Sequence, residues 1–155
     1  MKEHTDRLRE FARAQNLELV DRFERIRADA LAGRTAAASE ALAQWRALLD
    51  RHVRWEEQEV NAAYRRRCRV EDLHGLGLLV DEHRAMAQLA AELADLVSIT
   101  GQTVPDVTSI RELVDEIDVS LMEHRLREEN EVCFALDHAL DAPTIEHIED
   151  ACPDS

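Results

Sequence analysis

Glycine and proline are scarce in this 155-residue chain, at four and three residues. With Ala, Leu, Glu and Arg abundant, that scarcity argues against turn-rich β architectures and for an all-helical fold. Basic residues are also few: 19 Lys and Arg face 33 Asp and Glu, a net charge of −14. This balance argues against a nucleic-acid-binding surface and for a soluble protein with a solvated acidic face. Part of the acidic excess is available to neutralise bound cations. No apolar run approaches ~18 residues, and the opening Met1-Lys-Glu-His4 has no signal-peptide core, so neither a membrane span nor secretion is expected. The three cysteines, Cys68, Cys133 and Cys152, are odd in number and lack metal-type spacing. They read as reduced thiols in a cytoplasmic protein rather than a disulfide framework.

What the chain does contain is one stretch twice. His52-Val-Arg-Trp-Glu56-Glu-Gln-Glu-Val60 returns as His124-Arg-Leu-Arg-Glu128-Glu-Asn-Glu-Val132. The His, three Glu and the final Val are identical, and Gln58 is answered by Asn130. Both copies lie in helix-forming segments, so His and the first Glu, at i and i+4, share one helical face.

Four amphipathic segments carry these motifs. Segment A covers about 2–31, with Leu8, Phe11, Leu19, Phe23 and Ile26 at helical spacing, and ends at Gly33. Segment B, about 36–66, places Leu42, Trp45, Leu49, His52, Glu56, Glu59 and Ala63 on one stripe. A connection with Gly75 and Gly77 leads to segment C, about 78–99, whose inward residues include His83 and Met86. After a turn at Gly101–Pro105, with Asp106 or Thr108 as cap, segment D covers about 107–139 and carries His124, Glu128 and Ala135 on its stripe. Short connections make this an up-down-up-down antiparallel four-helix bundle over residues 1–141. Residues 142–155 form a short acidic tail, read as a frayed end or a small added helix.

An apolar seam normally excludes ionisable groups, because an unpaired buried carboxylate costs several kcal/mol. Here His52 lies about 16 residues after the start of B, His83 about 15 before the C/D turn and His124 about 17 after the start of D, nearly level at ~1.5 Å per residue. Glu56 and Glu128 fall one turn further on. Imidazoles and carboxylates converging in a bundle core describe a transition-metal site, iron or manganese before calcium. The bland alternative is a buried His–Glu network without metal.

His83 on segment C, with paired His-x3-Glu-Glu motifs on B and D, resembles the hemerythrin-like, HHE cation-binding family over about residues 10–140. The resemblance implies a four-helix bundle holding a non-haem di-iron centre, with manganese or zinc able to substitute. It implies His52, His83 and His124 as terminal ligands and Glu56 and Glu128 as bridging carboxylates. The family pattern also has a His from the first helix. The available one, His4, lies ~16 Å along the bundle from the layer. Gln15 and Asn16 stand at the right level instead, and the offsets from Asn16 to Leu19, Phe23 and Ile26 match those from His83 to Met86, Ala90 and Leu93. Glu59 and Glu131, at i+7 from each motif His, are expected to face inward, where they could reach the metals or support the ligand rings. The alternative is a one-residue bulge that turns them outward and brings in Glu57 and Glu129. Cys133 reads as turned away from the site, Tyr64 as a bundle-end residue, and His74, His138 and His147 as off the layer.

The function implied is binding or reduction of dioxygen, peroxide or nitric oxide, with peroxidase-, catalase- or oxidase-type turnover left open. A non-catalytic iron sensor, storage protein or interaction module is the alternative. The partner is a small diatomic or peroxide ligand, with no nucleic acid or membrane, acting on a monomer or homodimer.

Overall fold

The computed structural model describes residues 6–67, 74–98 and 106–153. His4, Cys68 and the turn at 101–105 lie outside them. The elements, in order, are α1 (Arg7–Leu31), α2 (Thr35–Trp55), a π turn (Glu56–Val60), α3 (Asn61–Arg67), α4 (His74–Ser98), α5 (Val107–Arg127), a second π turn (Glu128–Cys133), α6 (Phe134–Ala139) and α7 (Ala142–Asp150). There is no strand among the described residues, and no helix long and apolar enough to cross a membrane. The fold is an all-α four-helix bundle. Its corners are α1, α2 with α3, α4, and α5 with α6, and each packs on two neighbours in the order α1, α2, α4, α5.

Local chemistry sets the element ends. Gly33 takes φ +78 after α1, a left-handed conformation that glycine adopts without cost, and the Arg34 N–H returns to the Asp29 carbonyl. Asp106 caps α5 by accepting from the Thr108 N–H, as its position suggests. α4 starts four residues earlier than segment C was read, and takes Gly75 and Gly77 into its first turn. The start of α1 is capped at a distance, since Leu8 and Arg9 donate their N–H groups to the Asp137 carboxylate of α6 at 2.8 and 3.0 Å.

The core has two parts. One apolar cluster holds Phe23, Trp45, Leu49, Met86, Ile117 and Leu121. The other holds Leu8, Trp55, Leu79, Leu136, Ile145 and Ile148. In sequence, Asn16, His52, His83 and His124 each fall between residues of the first cluster and residues of the second. The tail contributes α7, whose Ile145 and Ile148 are buried and whose Glu149 takes Arg7 of α1 in a two-pronged ion pair. Trp45, Trp55 and Phe23 are core residues, with the Trp55 indole N–H donating to the Ile148 carbonyl at 2.8 Å.

Candidate metal centre

Between the two clusters lies a polar layer: Asn16, His52, Glu56, His83, His124 and Glu128 are each 5 % exposed or less. Glu56 stands at its middle. Its carboxylate meets His83 Nε2 at 2.7 Å and His124 Nε2 at 3.2 Å, and touches His52 Nε2. Glu128 lies 3.5 Å from His124 Nε2 and 3.9 Å from His52 Nε2, and its Oε2 accepts from the Asn16 amide at 2.9 Å. The rings of His83 and His124 meet at a tilt with centroids 4.7 Å apart, and that of His52 lies 5.7 Å from Trp55.

The layer of three histidines and two glutamates read from the helical spacing is therefore assembled. His52, Glu56, His124 and Glu128 present ligand atoms within 4.8 Å of one another, and His83 joins them through Glu56. Gln15 is half-buried beside the layer, and Asn16 is the α1 residue that enters it. His138 and His147 lie on exposed surface, and His74 starts α4 nine residues before His83.

The ring nitrogens facing away from the layer also meet carboxylates. His83 Nδ1 lies 3.0 Å from Glu57, and His124 Nδ1 lies 3.3 Å from Glu82, which also accepts from Arg127 at 2.9 Å. Such contacts fix a ring's orientation and leave Nε2 directed into the site. Sequence reading missed Glu82, which stands one residue before His83 and meets α5 through His124 and Arg127.

The π turns overturn the inward placing of Glu59 and Glu131 and the outward placing of Cys133, and they realise the bulge that was the alternative for the two glutamates. An α-helix advances ~100° per residue, so a residue seven after each motif His would return to the inner face. A π turn closes to i+5, as when the Asn61 N–H bonds the Glu56 carbonyl, and delays everything after it by one position. Glu59 is consequently only half-buried and Glu131 is 57 % exposed, so neither faces inward. Glu129 turns in and is buried, but it is held by Arg13 and Arg125, each at 2.9 Å, rather than joining the layer. Glu57 stays at the rim, on His83. Cys133, read as turned away, is fully buried on the inner side, and Val132 and Leu136 are more buried than Ala135. Burial pushes the Cys133 thiol well above its ordinary value, and the charges of Glu128 and Glu56 add to the effect.

Electrostatically the layer is a set of opposed charges. Burial works against a charge on His52, but Glu56 and Glu128 outweigh it and raise the ring to about 10. His124 is likewise raised well above the histidine range, against burial, by Glu56, Glu128 and Glu82. Glu56, despite its burial, is held well below the carboxylate range by His124 and His52. Of the four buried side-chain atoms without hydrogen-bond partners among the described residues, two belong to the layer: His52 Nε2, which touches Glu56 without alignment, and Glu128 Oε1. A cation would satisfy both, and the mixed nitrogen and carboxylate donor set fits a transition metal.

The family model for the hemerythrin HHE cation binding domain matches residues 7–136. The chain belongs to the hemerythrin HHE cation-binding family. No curated protein and no solved structure gave a significant match. As a hemerythrin-type bundle it is a cation-binding domain, and His52, Glu56, His124 and Glu128 form a cluster that could hold a metal ion. The first-helix His of the family pattern is replaced at this level by Asn16, which binds Glu128 rather than presenting an imidazole.

Proposed function

We propose that His52, His83, His124, Glu56 and Glu128 hold a non-haem di-iron centre at which dioxygen, peroxide or nitric oxide is bound or reduced. The observation that carries this reading is Glu56, a fully buried carboxylate touched by imidazoles from three helices. Without a cation, such a group is an expensive core element. With cations bound, it would serve as a carboxylate ligand at the centre of the site. When bound, iron supplies an open position for a small ligand and, as a pair, two electrons.

The chain's own residues do the rest. Glu57 and Glu82 hold the outer nitrogens of His83 and His124, so both rings keep Nε2 pointed inward. Asn16 fixes one oxygen of Glu128 and leaves the other available. The apolar clusters on either side keep bulk water from the layer and strengthen every charge interaction within it. An amide at the α1 position favours turnover or sensing over bulk oxygen carriage, because that side of the site has one imidazole fewer to hold a metal.

Protein produced with iron supplementation should contain about two iron atoms per chain, as expected for a di-iron bundle, and show near-ultraviolet charge-transfer bands that Glu56→Ala abolishes. Bound iron with no such bands, unaffected by that substitution, would sink the di-iron reading. A second reading, an iron sensor or store without catalysis, is favoured by how closed the layer is. Chelation that lowers the melting temperature, with no turnover of peroxide, oxygen or nitric oxide, would select it.

A further inference from the structure

At the level of the site, four seams run between neighbouring helices. Three are stopped by side chains of the bundle. Glu57 lies against His83 between α2 and α4, and Glu82 against His124 and Arg127 between α4 and α5. Glu129, held by Arg13 and Arg125, fills the seam between α1 and α5. The apolar clusters close the two ends.

The seam between α1 and α2 is closed differently. A narrow cleft there is lined by Glu18 and Leu19 of α1, by Arg51 and His52 of α2, and by Cys152 and Pro153 of the C-terminal segment as its remaining wall. It holds about 10 Å3, room for roughly one water. Larger clefts among the described residues, of about 400, 260 and 170 Å3, are lined by none of the five site residues.

The wall comes from outside the hemerythrin match, which ends at residue 136. It is held in place by α7, through Arg7 to Glu149 and through the Trp55 indole to the Ile148 carbonyl. Trp55 in turn packs beside His52. The C-terminal segment therefore both covers the cleft and is tied to a residue next to the ligand ring.

We propose that the C-terminal segment is a gate on the metal centre, with Cys152 and Pro153 setting the size of ligand admitted through the α1/α2 seam. This rests on the metal reading of the layer. The gate passes ligands of about two atoms and slows larger anions, chelators included.

The test compares the full chain with a chain ending at Ala151, which keeps α7 with its buried Ile145 and Ile148 and removes Cys152 and Pro153 with the two residues after them. A full-length Cys152→Gly, Pro153→Gly variant covers the case in which the shortened chain does not fold. Metal per chain is measured first, then the rate of azide binding to metal-loaded protein and of metal removal by EDTA. Both rates should rise about tenfold, with nitric oxide binding changed far less and metal content unchanged, as for a steric gate. Unchanged azide and EDTA rates in a folded, metal-loaded variant would overturn the gate. So would an equal acceleration of nitric oxide, which would mean general loosening. A full chain that takes up no metal would overturn the site reading itself and the gate with it, a result seen before any rate is measured.

Discussion

Asn16 and His83 occupy equivalent places in two similar halves of the molecule. α1 stands to α2 as α4 stands to α5, and each first helix sends one polar side chain across the bundle to the motif carboxylate of the other half. His83 reaches Glu56 at 2.7 Å, and Asn16 reaches Glu128 at 2.9 Å. The results differ in kind. Glu56 is surrounded by three imidazoles, whereas Glu128 has an amide, two more distant imidazoles and one oxygen without a partner. The following glutamate diverges as well, since Glu57 supports a ring while Glu129 is tied between two arginines. A repeated sequence has thus produced one half built to share a charge among nitrogens and another with spare acceptor capacity. The asymmetry lies partly in what faces each motif and partly in the positions where the motifs differ, since Arg125, which holds Glu129, stands where the first copy has Val53.

Removing Glu56 should break this comparison most severely. Glu56→Ala takes away the group common to all three rings, and metal affinity should fall by more than ~100-fold, beyond what loss of a supporting residue costs. Glu128→Ala should cost less, and equal losses in metal titrations would show the halves to be equivalent.

Proton competition comes next. In metal-free protein the raised His52 and His124 contribute stability that is fully present below the ordinary value of 6.5 and lost as pH rises, for His52 through about 10. The depressed Glu56 contributes stability present above 4.5 and lost as pH falls through its folded value. A metal must displace both imidazole protons, so affinity should rise by up to about a hundredfold per pH unit near neutrality, tenfold for each proton released. Titration calorimetry in buffers of different ionisation heat would count those protons, and finding none released would contradict the charged layer.

Asn16 offers a milder test. Asn16→His should bring the halves closer and raise metal affinity by about tenfold, the scale of a single ligand-sphere change. Asn16→Ala should destabilise metal-free protein by about 1–3 kcal/mol, because Glu128 loses its amide donor. Asp137→Ala gives the smallest effect, about 1 kcal/mol from the lost cap of α1, and it should be the same with and without metal. Urea unfolding of both forms measures each.

Much of this was legible from spacing alone. The level of the layer followed from counting ~1.5 Å per residue to each turn, and it needed no knowledge of neighbours. Asn16 was visible as the match to His83 because the apolar residues after each fall at the same offsets. The faces of Glu59, Glu131 and Cys133 were not legible in the same way. A one-residue shift in hydrogen bonding within a helix leaves composition and capping signals unchanged, so a uniform 3.6-residue period carried each of them to the wrong side. Glu82 stayed hidden for a related reason: nothing in a sequence distinguishes a carboxylate aimed at a neighbouring helix's imidazole from one aimed at water.

The two-part core has a consequence for how the chain comes apart. Apolar packing is interrupted by a charged layer, so without metal the two clusters communicate only through the backbones of four helices and a few ion pairs. Each is then able to open as its own cooperative unit. A cation bound in the layer would join them, and the slowest amides of α2 and α6 would exchange in a single event instead of two. Hydrogen exchange with and without metal would read this directly, and identical exchange patterns would show that the layer already fuses the two halves.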